Sequence, residues 1–163
     1  MHMVIYALVE ASTHDDALAA GKTEFDRLVG AELYSCAVFD YYATFDEENT
    51  AVAGKARWGE LPTAAPVDSE DGQELLERGW EATKDEFERN LDRVKEAIDE
   101  LSDEEIMRDE DLARHAFHQV GAYKGPTVFL YTEHGTGIRH RGQLDRILEE
   151  SDELWIVPAD VHF

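Results

Sequence analysis

The stretch Ser69–Leu101 limits what this chain can fold into more than any other. Its apolar residues Trp80, Phe87, Leu91, Val94, Ile98 and Leu101 are separated by seven, four, three, four and three positions. That spacing predicts a helix with one narrow buried stripe. At 1.5 Å per residue it would run roughly 48 Å. A compact chain of 163 residues has a radius of gyration of about 15 Å, hence a diameter of roughly 40 Å. The helix must therefore lie across the whole domain or reach past it. Asp68, Ser69 or Asp71 would cap it, and Asp71 with Glu74 has capping-box spacing. Ser102 with Glu105 forms a second box, so a further helix should follow to about Tyr123, with Ile106, Ala113, Phe117 and Val120 inward.

The flanking segments read as strands and shorter helices. Val4–Val9 is apolar on both alternating faces, as in a central strand. The run Met3–Val9 has no basic region before it, so it reads as a strand and not as a signal peptide. Thr13 or His14 opens a helix with Leu18, Phe25, Leu28 and Val29 inward, closed by Gly30. Ser35–Phe45 reads as a strand with Phe39, Tyr41 and Phe45 on one face and Asp40 and Thr44 on the other. Asp46–Thr50 reads as a turn, Ala51–Trp58 as a hairpin partner, and Leu61–Asp68, with Pro62 and Pro66, as a linker. Gly125-Pro126 stops the second long helix. Thr127–Thr132 is then a short strand, Glu133–Gly137 a turn, Arg141–Glu150 a helix and Leu154–Val157 a last strand.

This order predicts an α+β fold: a sandwich related to the ferredoxin-like folds, with one mixed sheet of about four or five strands and helices mainly on one face. A helical hairpin, 69–123, would be inserted between two βαβ-like halves of a single domain, 1–163.

Charge sets the surroundings. Asp and Glu number 37 against 15 Lys plus Arg, a formal net charge of −22, and only 5 of the basic residues are Lys. With 43% hydrophobic residues and clear periodicity, the chain should nonetheless fold. This acidic, Lys-poor, Ala-rich composition resembles that of small cytoplasmic proteins of salt-accumulating haloarchaea or their viruses. The resemblance implies a salt-adapted archaeal protein and carries no function with it. No run approaches the ~18 apolar residues of a membrane span, so a soluble, cytoplasmic protein is expected. The single Cys36 excludes an internal disulfide and reads as a small core residue.

Two stretches offer chemistry. Glu133-His134-Gly135-Thr136-Gly137, followed by Arg139-His140-Arg141, lies between a buried strand and a helix, where open sheets place ligands. Gly135, Thr136, Gly137, Arg139, His140 and Arg141 would hold an anion through backbone N–H groups and cationic side chains. The run matches no complete P-loop or dinucleotide motif. His115 and His118, three apart on one helix face, would share a metal with a third ligand from His134, Asp111 or Glu133. None of Ser12, Ser35, Ser69, Ser102 and Ser151 lies in a nucleophile elbow. Tyr6, Tyr41 and Tyr42 with Lys55, Arg57 and Trp58 suggest a base-stacking surface, but the net charge argues against nucleic acid as partner.

No complete catalytic motif and no cofactor motif is present. The leading expectation is a non-catalytic, self-associating interaction or regulatory module, dimerising through the long helix or the last strand. A small enzyme or sensor binding a phosphate-bearing or other anionic ligand at 133–141 is the alternative. A third reading, an acidic DNA mimic or decoy, fits poorly with acid spread from Glu10 to Asp160.

The salt dependence follows from the charge. Screening of the net −22 is nearly complete at about 1 M, where the Debye length is ~3 Å. Above that, salt acts through hydrophobic burial. The melting temperature should climb steeply from about 0.1 to 1 M KCl and more slowly to about 3 M. A melting series at neutral pH that stays flat over this range would refute the salt-adapted reading.

Overall fold

The computed structural model describes residues 1–30, 37–46, 52–108 and 113–163. Along the chain these form β1 (His2–Glu10), α1 (His14–Leu28), β2 (Tyr41–Thr44), α2 (Lys55–Trp58), β3 (Ala65–Pro66), α3 (Glu70–Glu100), α4 (Asp103–Arg108), α5 (Ala113–Gly121), β4 (Leu130–Thr132), α6 (Arg141–Glu150) and β5 (Leu154–His162). Ser35, Cys36, the 47–51 stretch and Asp111 lie outside the described residues.

The expected α+β class and single mixed sheet are present: five strands in the order β2-β5-β1-β4, with β3 also on β5. β1 pairs antiparallel with β5 along its whole length, from His2 opposite His162 to Glu10 opposite Leu154. On its other side β1 pairs parallel with β4. β2 and β3 divide the remaining edge of β5, β2 against Ala159–His162 and β3 against Trp155 and Ile156. Since β1 and β2 both run opposite to β5, β1-α1-β2 is a split βαβ unit with β5 between its strands. In β4-α6-β5 the two strands run in opposite directions and flank β1.

The last strand extends past Val157, its expected end, through Pro158 to His162, although proline is ordinarily unsuited to a central strand. Pro158 is opposite Tyr6, whose N–H points the other way, to Phe129 O at 2.8 Å. The imide nitrogen of Pro158 therefore faces away from β1, at the register between the segments covered by β3 and β2. No ladder bond is lost there. Ala51–Trp58 also departs from expectation: its described part turns at Gly54 and Gly59, both at positive φ, around the short helix α2.

Both faces of the sheet are covered, which is why β1 reads as apolar throughout. Met3, Ile5, Ala7 and Val9 pack with Val157, Ala159 and Val161 against Ala17, Phe25 and Leu28 of α1. Tyr6, Leu8, Leu130 and Ile156 pack on the other face with Leu75 and Leu76 of α3 and Leu144 of α6. The caps match the sequence: Thr13 caps α1, Ser69 caps α3 and Ser102 shares hydrogen bonds with Glu105 before α4.

The buried side of α3 shares only Val94 with the apolar stripe, of which Trp80, Phe87 and Leu91 are half-buried. It comprises Gly72, Leu75, Leu76, Gly79, Thr83, Asn90, Val94 and Ala97, whereas Ile98 is 58% exposed. On α5, Phe117 is 41% exposed where an inner position was expected. Small residues win on α3 because the helix crosses the sheet closely; a Cβ on Gly79 would lie 2.7 Å from the Tyr6 ring and 2.8 Å from Leu130. Thr83 Oγ1 donates to Gly79 O and accepts the Phe129 N–H, tying the helix to the chain entering β4.

Gly72 is the tightest point. A Cβ there would sit 1.9 Å from Pro66 O, the carbonyl that accepts from both the amide and the hydroxyl of the Ser69 cap. Gly72→Ala should lower the melting temperature, by the ~1–3 kcal/mol of overpacking, although Ala is the better helix former by about 1 kcal/mol. Gly121→Ala, where a Cβ meets nothing within 4 Å, should be neutral or stabilising. Thermal melts of the pair check this, and equal responses would count against it.

Candidate functional site

The turn after β4 spends its polar groups on the protein itself. Gly135, at φ 63°, donates its N–H to Thr132 O, and the Thr132 N–H is received by Thr136 O. The Gly137 N–H goes to Tyr123 O, so close that a Cβ would fall 2.2 Å from that oxygen. Arg139 lies between the rings of Phe87 and Tyr123, 5.2 and 5.6 Å from their centroids, and donates to Ala122 O. His140 caps α6, its Nδ1 accepting the Gln143 N–H at 3.0 Å. Arg141 is exposed and pairs with Asp145 at 2.7 Å. The six residues expected to hold an anion are thus neighbours in space, and these amides and cations already have partners.

His115 and His118 lie exposed on α5, and His134 is exposed beside Glu133 at 3.6 Å. Among the described residues no three His, Cys, Asp or Glu side chains come together to hold a metal.

Beneath the turn lies a carboxylate that sequence reasoning missed. Glu24 of α1 is buried; its Oε1 pairs with Arg27, whose guanidinium also donates to Glu133 O at 2.8 Å. Glu24 Oε2 is buried beside Gly135 without a hydrogen bond. Burial pushes the carboxyl up from its usual range to about 7, against the opposing pull of Arg27.

A second cluster forms at one end of the sheet. Register places His2, His162 and Tyr41 side by side across β1, β5 and β2. Asp160, two residues before His162, shares their face and is wholly buried. One oxygen of Asp160 meets His2 Nδ1 at 3.0 Å and the other accepts the Gly54 N–H at 2.8 Å. His2 Nε2 lies 3.2 Å from the Tyr41 hydroxyl. With Asp160 ionised, Nδ1 must carry the ring proton, which leaves Nε2 as the acceptor for Tyr41. Tyr41 stacks on His162, whose Nδ1 is held by Asp40 at 2.8 Å.

His2, itself only 9% exposed, opens onto a cavity of about 260 Å³. Tyr6, Trp58, Leu61 and Phe129 make its walls mainly apolar, and Arg78 stands at its edge. The sequence held one sign of this cluster: Asp160 and His162 alternate with the apolar residues Ala159 and Val161 at the end of a strand. Nothing local indicated that His2 would lie opposite them.

Glu24 predicts a pH dependence. Its raised folded-state pKa means the folded chain binds that proton more tightly than the unfolded one. Between about pH 4.5 and 7 Glu24 therefore makes stability fall as pH rises. Glu24→Gln should flatten that decline and leave the variant relatively more stable above about pH 7, read from melts at fixed high salt. A parallel pH dependence in parent and variant would exclude the effect.

Among the described residues no helix is long and apolar enough to cross a membrane. No curated protein matches this chain, and no solved structure does. The family model described as "Domain of unknown function (DUF7995)" matches residues 1–163, and the chain belongs to that family.

Proposed function

We propose that the chain is a small enzyme that moves a proton on an organic molecule bound in the cavity beside His2. The observation that carries this reading is the wholly buried Asp160 carboxylate on His2 Nδ1, with the imidazole lining an apolar cavity. A base needs its other nitrogen fixed in one tautomer and its cationic form stabilised when the proton arrives; a carboxylate on Nδ1 does both. Apolar walls exclude water and strengthen that interaction. Nε2 has a single lone pair, held at 3.2 Å by the Tyr41 hydroxyl, so Tyr41 turns aside for Nε2 to take the substrate's proton, then accepts the Nε2–H and passes its own hydroxyl proton to solvent.

A small enzyme is thus favoured over the expected non-catalytic, self-associating interaction or regulatory module, with its chemistry at His2 rather than at Gly135–Arg141. Anion binding at Gly135–Arg141 and metal binding by His115, His118 and His134 remain separate proposals, which a phosphate or divalent-metal thermal-shift series would address. The acidic composition supports a salt-adapted cytoplasmic setting. The exposed Ile98, Met107 and Phe117 on the helices between β3 and β4 support self-association as a dimer. The family match over residues 1–163 supports treating the chain as one functional unit.

The test uses the acceptor count at Asp160. His2 Nδ1–H and Gly54 N–H both need an acceptor, and an amide supplies only one oxygen. Asp160→Asn should therefore turn its NH2 toward His2, move the ring proton to Nε2 and remove the base. Nitrogen chemical shifts of the His2 ring report the tautomer directly. Exchange of carbon-bound protons for solvent deuterium, followed by proton NMR on a panel of small ketones and carboxylic acids, reports the chemistry. Exchange by the parent that is lost in Asp160→Asn is the expected result. An Nε2–H tautomer in the parent, or exchange equal in both proteins, would sink the proposal.

A further inference from the structure

The walls of the cavity also bear on what it binds. Trp58, Tyr6 and Phe129 present aromatic surface, His2 is the inner polar group, and Arg78 of α3 is the cation at the edge. Arg78 and Tyr6 both line the cavity, and the guanidinium interacts with the Tyr6 hydroxyl. Its Nη2 donates to Glu74 Oε1 at 2.7 Å, and both side chains of that pair are about half or more exposed to solvent. An exposed i,i+4 pair is weak because solvent screens it, so a better-placed carboxylate would displace it at little cost.

We propose that the ligand of this cavity is a small monocarboxylate on an apolar or aromatic body, its carboxylate taken by Arg78 and its body held against Trp58 and Phe129. The inference rests on the cavity being the functional site. Charge complementarity selects the headgroup. A guanidinium offers a planar fork that fits a carboxylate through two parallel hydrogen bonds. Among the described residues Arg78 is the only Lys or Arg lining the cavity, in a chain of net charge −22. A phosphate dianion would need more positive charge than that. The apolar walls select the body, since a polar one would lose water bonds with nothing to replace them. Glu74 then holds the place of the substrate carboxylate while the cavity is empty, and keeps Arg78 at its edge. A carboxylate held there fixes the rest of the molecule between Arg78 and His2, where the proton is exchanged.

The probes are phenylacetate, its neutral analogue 2-phenylethanol, and phenyl phosphate, titrated into the full chain and followed through the backbone and indole resonances of Trp58. Phenylacetate should bind at least tenfold more tightly than either of the others. Arg78→Gln should abolish the preference over 2-phenylethanol, while Arg108→Gln, at an exposed position of α4, should keep it. Equal affinity for the alcohol, tighter binding of the phosphate, a preference unchanged in Arg78→Gln, or no perturbation of Trp58 by about 10 mM probe would each overturn the inference. His2→Gln separates this from the proton-transfer reading. Carboxylate preference kept in that variant supports the ligand class even where deuterium exchange fails, and exchange on neutral ketones alone would support the base while overturning the ligand class.

Discussion

The antiparallel pairing of β1 with β5 carries the rest of the structure. It joins the two ends of the chain, leaves one edge of β1 for β4, and divides the outer edge of β5 between β2 and β3. Because both strands are central and both faces are covered, their side chains must be apolar wherever a helix lies over them. α1 covers one face, and α3 with α6 covers the other. Toward the His2–His162 end the face covered by α3 changes from apolar to polar. There the alternation turns from Tyr6, Leu8 and Ile156 to His2, Asp160 and His162.

A buried carboxylate is tolerated only when it is satisfied, since an unpaired one would cost several kcal/mol or take up a proton. Asp160 and Glu24 show the two outcomes. Asp160 has a donor on each oxygen and fastens Gly54, and with it the chain leading into α2, to the sheet. Glu24 has one oxygen on Arg27 and the other without a partner, and its carboxyl is pushed up to about 7. In a chain so rich in acid, these two stand apart from the solvated majority by burial. Abundance made them invisible among the 37 acidic residues of the sequence.

The helices were the most legible part of the fold because their signals are local. Ser69 caps α3 one residue before Glu70, the Ser102–Glu105 box precedes α4, and α6 has the predicted bounds Arg141–Glu150. The helix face was less legible. Apolar spacing selected Trp80, Phe87 and Ile98, while close approach to the sheet selected Gly79, Thr83 and Ala97. Periodicity records where greasy residues recur; it does not record how near the neighbouring backbone comes. The last strand outran its expected end through Pro158, whose cost depends on whether a partner strand faces its nitrogen, and here the neighbours leave that register open.

By itself the sequence determined the class of fold, the caps of α1 and α3 and the extent of α6, and a surface dominated by acid, because each of these depends on residues close together in the chain or on simple totals. The tertiary structure decided which polar residues meet. His2, Tyr41 and Asp160 come from three strands and are brought together by cross-strand register, with separations of 39 and 158 residues along the chain from His2. Likewise, Arg139 read as a free cation until the fold placed it between Phe87 and Tyr123. Register and packing are properties of the whole sheet, and no local window of residues contains them.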